Sequence, residues 1–173
     1  MDKDIIKKIN ELGSTGDPFL FVISYDGTKA YVRKLSDINP EDCLYDFDGK
    51  TNINEKTASP LTSKITWEVD APQYEEYEKS FDIVKRNMLV GNSYLANLTC
   101  RVPVRCNLSL HEIFLRSKGK YKLLMNDSTD NIGSFVCFSR EKFLQIRDGR
   151  IFSYPMKGTI DASLPNAEKE LMD

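Results

Sequence analysis

Glu141 and Lys157 bracket a segment that reads as a β-hairpin, and a carboxyl group beside an amine can do covalent chemistry. Residues 143–147 and 150–154 are rich in β-formers and flank Asp148-Gly149, a strong signal for a two-residue turn. With that turn Arg147 faces Arg150, and Glu141 faces Met156, one residue short of Lys157. The two side chains then share the open end of one hairpin. Strict pairing sets them on opposite faces of the sheet; Pro155, which cannot donate to the ladder, or a bulge near Ser139-Arg140 changes that. Two readings stand. One is an exposed ion pair contributing about 0–1 kcal/mol. The other is a nucleophilic lysine beside a general acid, which needs a depressed lysine pKa and a partly buried site.

The other chemistry-bearing residues read as structural. Gly13-Ser-Thr-Gly16 lacks the lysine and spacing of a phosphate loop. The single histidine, His111, sits in the first turn of an expected helix and reads as a surface residue. One histidine nearly excludes a His-rich metal site or a Ser-His-Asp site with a spare histidine. Cys43, Cys100, Cys106 and Cys137 form no Cys-x-x-Cys pair, so neither a zinc ribbon nor a thioredoxin pattern is present. Lys plus Arg number 24 and Asp plus Glu 26, a formal charge of −2 that gives no support for nucleic acid or an anionic membrane as partner. No apolar run reaches signal-peptide or transmembrane length, so the chain reads as cytoplasmic with reduced thiols.

The elements that must hold these residues follow from patterning. At 173 residues, 40% hydrophobic and 29% charged, the chain suits about one domain with a real core. Residues 3–12 form a short amphipathic helix stopped by Gly13. Residues 19–25 and 29–35 flank Asp26-Gly27 and predict a first hairpin. Residues 36–71 read as turns and short extended pieces such as 63–68. A helix is expected over 70–90, capped by Asp70, with Pro72 in its first turn and Gly91 as its stop. Its stripe of Tyr74, Tyr77, Phe81, Val84 and Met88 reads as core packing, and Glu75, Glu76, Glu78 and Lys79 as its solvated face. Residues 94–102 alternate like a strand buried on one side. Ser109 and Glu112 form a capping box for the next helix, followed by strands at 121–125 and 132–138. The fold class is α+β, a mainly antiparallel sheet with flanking helices.

Three segments then resemble the chorismate-utilising enzyme family, on its aminodeoxychorismate synthase component I branch. Tyr154-Pro-Met-Lys-Gly-Thr159 is similar to that branch's Pro-Ile-Lys-Gly-Thr. Phe138-Ser-Arg-Glu-Lys-Phe143 is similar to Phe-Ser-Pro-Glu-Arg-Phe, and Gly91-Asn-Ser-Tyr-Leu-Ala-Asn-Leu-Thr99 to Gly-Asp-Ile-Tyr-Gln-Val-Asn-Leu-Thr. The opening run from Phe19 to Tyr25 resembles the first strand of short-form members. The resemblance covers most of the chain and is weak between about Leu35 and Asp70.

That resemblance implies amination of chorismate to 4-amino-4-deoxychorismate, on the route to p-aminobenzoate and folate, with magnesium (Mg2+) holding the substrate carboxylate and ammonia from a glutamine amidotransferase subunit. Lys157 matches the lysine that attacks the ring and forms a covalent adduct. Glu141 matches the general acid that protonates the departing 4-hydroxyl. Gly158 and Thr159 match the turn whose backbone approaches a substrate carboxylate. Anthranilate synthases usually carry alanine where Lys157 stands, and isochorismate and salicylate synthases a water-activating lysine where Leu95 stands. The alternatives are anthranilate synthase component I and a non-catalytic module binding a small ligand or partner. The family's module is longer than this chain, and its metal-binding glutamates follow the point where the chain stops. The expectation is a single incomplete domain over 1–173: N-terminal strands and variable loops over 1–70, the start of the catalytic motif region over 71–173. No metal ligand is expected in this part. The fragment is expected to be inactive alone, with self-association through unpaired edges.

Overall fold

The computed structural model describes residues 2–54, 60, 63–127, 130, 132–139, 142–154, 163, 165–167 and 169. Helix α1 (Lys3–Thr15) starts where Asp2 accepts a hydrogen bond from the Asp4 amide, and it ends at Gly16, left-handed at φ 72°. It runs past Gly13, the expected stop, because Gly16 supplies the positive φ that terminates a helix. Strands β1 (Phe19–Ile23) and β2 (Ala30–Lys34) pair antiparallel, Val22 opposite Tyr31. Their connection is six residues, longer than an Asp-Gly turn. Asp26 holds it together by accepting from the Ser24 hydroxyl, the Thr28 amide and the Thr28 hydroxyl. A 3-10 turn at Leu35–Asp37 leads to β3 (Cys43–Phe47) and β4 (Lys50–Thr51).

Beyond residue 63 come β5 (Trp67–Val69), α2 (Tyr74–Leu89), β6 (Val104–Cys106), α3 (Leu110–Arg116), β7 (Tyr121–Asp127), β8 (Gly133–Ser139), β9 (Leu144–Arg147) and β10 (Arg150–Ser153). The main sheet runs β4-β3-β7-β8, while β1-β2, β5-β6 and β9-β10 are two-stranded; every pairing is antiparallel. Helices with mainly antiparallel strands make the fold α+β, as the patterning predicts.

The core is built by strand alternation. Cys43, Tyr45, Leu123, Met125 and Phe135 lie on one face of the main sheet, against Leu20, Val22 and Tyr31 of the first hairpin. Leu44, Leu124 and Val136 lie on the other, under Phe114 of α3, which is wholly buried. Ser109 and Glu112 form the expected capping box at the start of α3. Its C-terminal carbonyls are met by the buried Lys122, whose Nζ donates to Phe114 O at 3.1 Å and Ser117 O at 3.2 Å. A cation there complements the negative end of the helix, and it also lies 4.8 Å from the Phe114 ring centre.

Three further expectations fail. The α2 stripe is not core: no residue of this helix is buried, and Tyr74 is 69% exposed. Nothing described covers the stripe except residues 98–100 beside Tyr77. The helix also begins at Tyr74, with Gln73 at the cap making no side-chain bond; the Asp70 amide instead donates to Pro103 O, extending the β5-β6 pairing. Residues 94–102 form no strand, because alternation needs a partner for its backbone groups and no described segment pairs there.

Candidate functional site

The β9-β10 hairpin forms as its sequence dictates. Asp148 (φ 53°) and Gly149 (φ 70°) make the two-residue turn with positive φ at both positions, the geometry that matches strand twist. Arg147 pairs with Arg150, Ile146 with Ile151, Gln145 with Phe152 and Leu144 with Ser153. The Tyr154 amide donates to Phe143 O at 3.4 Å, so the two chains are still adjacent at the open end. Glu141 stands two residues before Phe143, and Lys157, Gly158 and Thr159 follow Tyr154 by three to five residues. All four lie outside the described residues.

What is described at the open end is a cluster that the motif reading missed. The Tyr154 hydroxyl donates to Gln145 Oε1 at 2.9 Å, and Lys142 Nζ donates to the same oxygen at 3.4 Å. Lys142 Nζ also lies 5.8 Å from the Tyr154 ring centre, and Arg147 lies 5.8 Å from that of Phe152. The signal was present, since period-two counting puts Gln145, Phe152 and Tyr154 on one face. The opposite face is bare: Leu144, Ile146 and Ile151 are 51%, 68% and 70% exposed.

The segment after α2 turns at Gly91 (φ 79°). Leu98, Thr99 and Cys100 then line a cavity of about 160 Å³ with Pro72, Tyr77 and Ser80. Leu95 is open to solvent. A larger cavity, about 540 Å³, lies elsewhere, between the β1-β2 loop and Ile132 and Phe135. Asp26 sits on its rim, its carboxyl held down to about 2, first by the Ser24 hydroxyl and then by the Thr28 amide and hydroxyl. That cavity shares no residue with the three motif segments, and size alone does not make it the reaction site.

Among the described residues no cluster of three or more His, Cys, Asp or Glu side chains could hold a metal ion. The described residues thus present no donor set that fits the magnesium implied by the resemblance. Among them, too, no helix is long and apolar enough to cross a membrane.

The sequence is similar to several curated proteins. The chain is 36% identical over 167 residues to an "Uncharacterized PabA-like protein" of Haemophilus influenzae, covering 96% of the chain and 48% of that protein. A second protein with a PabA-like name, from Pasteurella multocida, is 34% identical over 97% of the chain and 50% of its own length. A Schizosaccharomyces pombe protein named "Putative aminodeoxychorismate synthase" is 31% identical over 76% of the chain and 18% of its own length. No solved structure matches. The chain thus spans about half the length of its two bacterial relatives. Residues 19–173 match the family described as chorismate binding enzyme, and the chain belongs to that family.

Proposed function

We propose that this chain supplies the lysine and the glutamate of an enzyme that aminates chorismate to 4-amino-4-deoxychorismate. The family match over residues 19–173, with lysine at position 157 of a Pro-Met-Lys-Gly-Thr run, carries the reading. The hairpin supports it, since its register keeps the segments leading to Glu141 and Lys157 side by side at Phe143 and Tyr154.

In this reading the Lys157 amine attacks the chorismate ring, and Glu141 gives its proton to the departing 4-hydroxyl, which leaves as water. Hydroxide is too poor a leaving group without that proton. A covalent adduct splits one hard displacement into two easier ones. Ammonia then replaces the lysine, and the amine of Lys157 is released with the product. Gly158 and Thr159 present backbone to a substrate carboxylate, glycine permitting close approach. Ammonia comes from a glutamine amidotransferase partner, a reading the relatives' PabA-like names support. The product leads to p-aminobenzoate and folate.

The test is a product assay on the longest native form of the protein with chorismate, magnesium and ammonia. 4-Amino-4-deoxychorismate is expected, with a Lys157-linked adduct seen by mass spectrometry. Lys157→Ala should cut amination by at least about 10²-fold, the lower range of what a positioned catalytic group contributes. The 173-residue chain by itself should turn over no chorismate. Anthranilate as product, or full amination by Lys157→Ala, sinks the proposal.

A further inference from the structure

Two of the motif segments meet at one side-chain oxygen. Gln145 Oε1 accepts from the Tyr154 hydroxyl at 2.9 Å and from Lys142 Nζ at 3.4 Å. Lys142 lies in the motif at 138–143 and Tyr154 in the motif at 154–159, while Gln145 belongs to neither. An amide oxygen has two lone pairs, and these two donors fill both. The backbone is a weak tie at this level of the hairpin. The last regular pair of the ladder is Leu144↔Ser153, and beyond it the Tyr154 amide reaches Phe143 O only at 3.4 Å, longer than an ordinary ladder bond. The next residue on that strand is Pro155, which has no N–H to give. Side chains therefore make the cross-strand tie where the backbone ladder runs out.

We propose that Gln145 and Tyr154, with Lys142 as third member, are positioning residues whose clasp sets the two reacting groups against each other, on the reading that Glu141 is the acid and Lys157 the nucleophile. Glu141 directly precedes Lys142 in the chain. Lys157 follows Tyr154 by three residues, at most about 11 Å of extended backbone. A tie at the root of both segments fixes where each one starts. The register places the members of the clasp. Gln145 pairs with Phe152, and Tyr154 is two residues further along the same face, so it is a diagonal neighbour within reach of a long side chain. That register is set from the other end of the hairpin by the Asp148-Gly149 turn. The shared acceptor is neutral, so the Lys142 ammonium is held at the open end without losing its charge. Neither Gln145 nor Tyr154 is asked to touch substrate. Both act through the placement of their chain neighbours, where an error of about 1 Å costs on the order of 10²-fold in rate.

The experiment is steady-state kinetics on the longest native form of the protein, with chorismate consumption and product identity read separately. Tyr154→Phe deletes the donor hydroxyl, and Gln145→Leu deletes the shared acceptor. Each is expected to lower kcat by about 10-fold or more, up to the roughly 10²-fold of a 1 Å misplacement, with KM moving less than about 2-fold. The double variant should be no slower than the slower single one, because both changes break the same bond. Gln145→Glu keeps an oxygen for the Tyr154 hydroxyl and should return kcat to within about 3-fold of the parent. Hydrogen exchange of the peptide covering residues 142–154 reads the clasp without turnover; it should quicken in both single variants and recover in Gln145→Glu. Parent kcat in either single variant overturns the proposal. So do losses that multiply in the double variant, a rise in KM alone, or exchange that does not change. Product identity decides the amination reading by itself: anthranilate sinks that reading, and kcat for chorismate consumption still decides the clasp.

Discussion

Phe114→Ala tests whether the main sheet is held by its α3 face. Phe114 has 0% exposure and rests on Leu44 and Leu124, with Ile53, Leu115 and Val136 packed around them. Removing its ring loses about 1.5–3 kcal/mol of apolar burial. The space left adds about 24 cal/mol per Å3 of cavity that does not collapse. Collapse is limited here, because β3, β7 and β8 are tied by a ladder beneath and α3 is capped at both ends, by Ser109 and by Lys122. The ring is also the nearest aromatic face to the buried Lys122 ammonium, at 4.8 Å. The expected loss is therefore toward the upper part of the 3–5 kcal/mol range for such truncations, about 4 kcal/mol. That is a large share of the roughly 5–15 kcal/mol of a typical domain. Urea denaturation followed by far-ultraviolet circular dichroism, with hydrogen exchange of β7 as the site-specific readout, measures it. A loss below about 1.5 kcal/mol would refute the reasoning, since the ring would then not be a keystone between helix and sheet.

Three further outcomes follow from other parts of the chain. The Asp26 carboxyl is held at about 2, below its ordinary value, so its contribution to the β1-β2 loop is complete above pH ~4 and is lost as pH falls through about 2. The Thr28 amide resonance should titrate with that midpoint, and Asp26→Asn should abolish the titration; a midpoint near 4 contradicts the hydrogen-bond cause. Gly149→Val puts a β-branched side chain at φ 70° and should destabilise the β9-β10 hairpin by about 1–2 kcal/mol, read as faster amide exchange at Ile146 and Ile151. Unchanged exchange counts against the two-residue turn. Ser109→Ala removes one half of the capping box and should cost about 1 kcal/mol of stability by urea titration, with Ser109→Gly costing less.

What was legible in the sequence is what local chemistry decides. The Asp148-Gly149 turn fixed the whole register of its hairpin, because only a residue tolerant of positive φ closes a two-residue loop there. Ser109 and Glu112 marked the start of α3 for a similar reason: both partners of the capping box lie within one turn. The first hairpin was right in existence and wrong in its turn, because Ser24 and Thr28 compete for Asp26 and hold open a longer loop. The failures are non-local. An alternating run such as 94–102 states that it can be a strand, but no neighbour within it says where a partner lies. The stripe of α2 states an apolar face and not its cover. The pairing of β3 with β7, some eighty residues apart and the centre of the core, had no signal that pattern counting could read.

The exposed elements bear directly on Lys157. A lysine in water titrates near 10.4, so at pH 7.5 only about one amine in 800 is neutral and able to attack. Half-neutrality at that pH requires a drop of about three pH units, roughly 4 kcal/mol of preference for the neutral form. Burial away from water is the usual source of that preference, and a neighbouring cation adds to it. The described part of the hairpin supplies little burial: Phe143 is 88% exposed, Ile146 68% and Ile151 70%. Lys142 is a cation close to the open end, but its Nζ already lies against Gln145 and the Tyr154 ring. If Lys157 is the nucleophile, the surface that desolvates it must come from groups beyond the described hairpin. Leu144, Ile146 and Ile151 form a bare apolar face, and the α2 stripe is half open. Both are surfaces of the kind that bury only when something is laid over them.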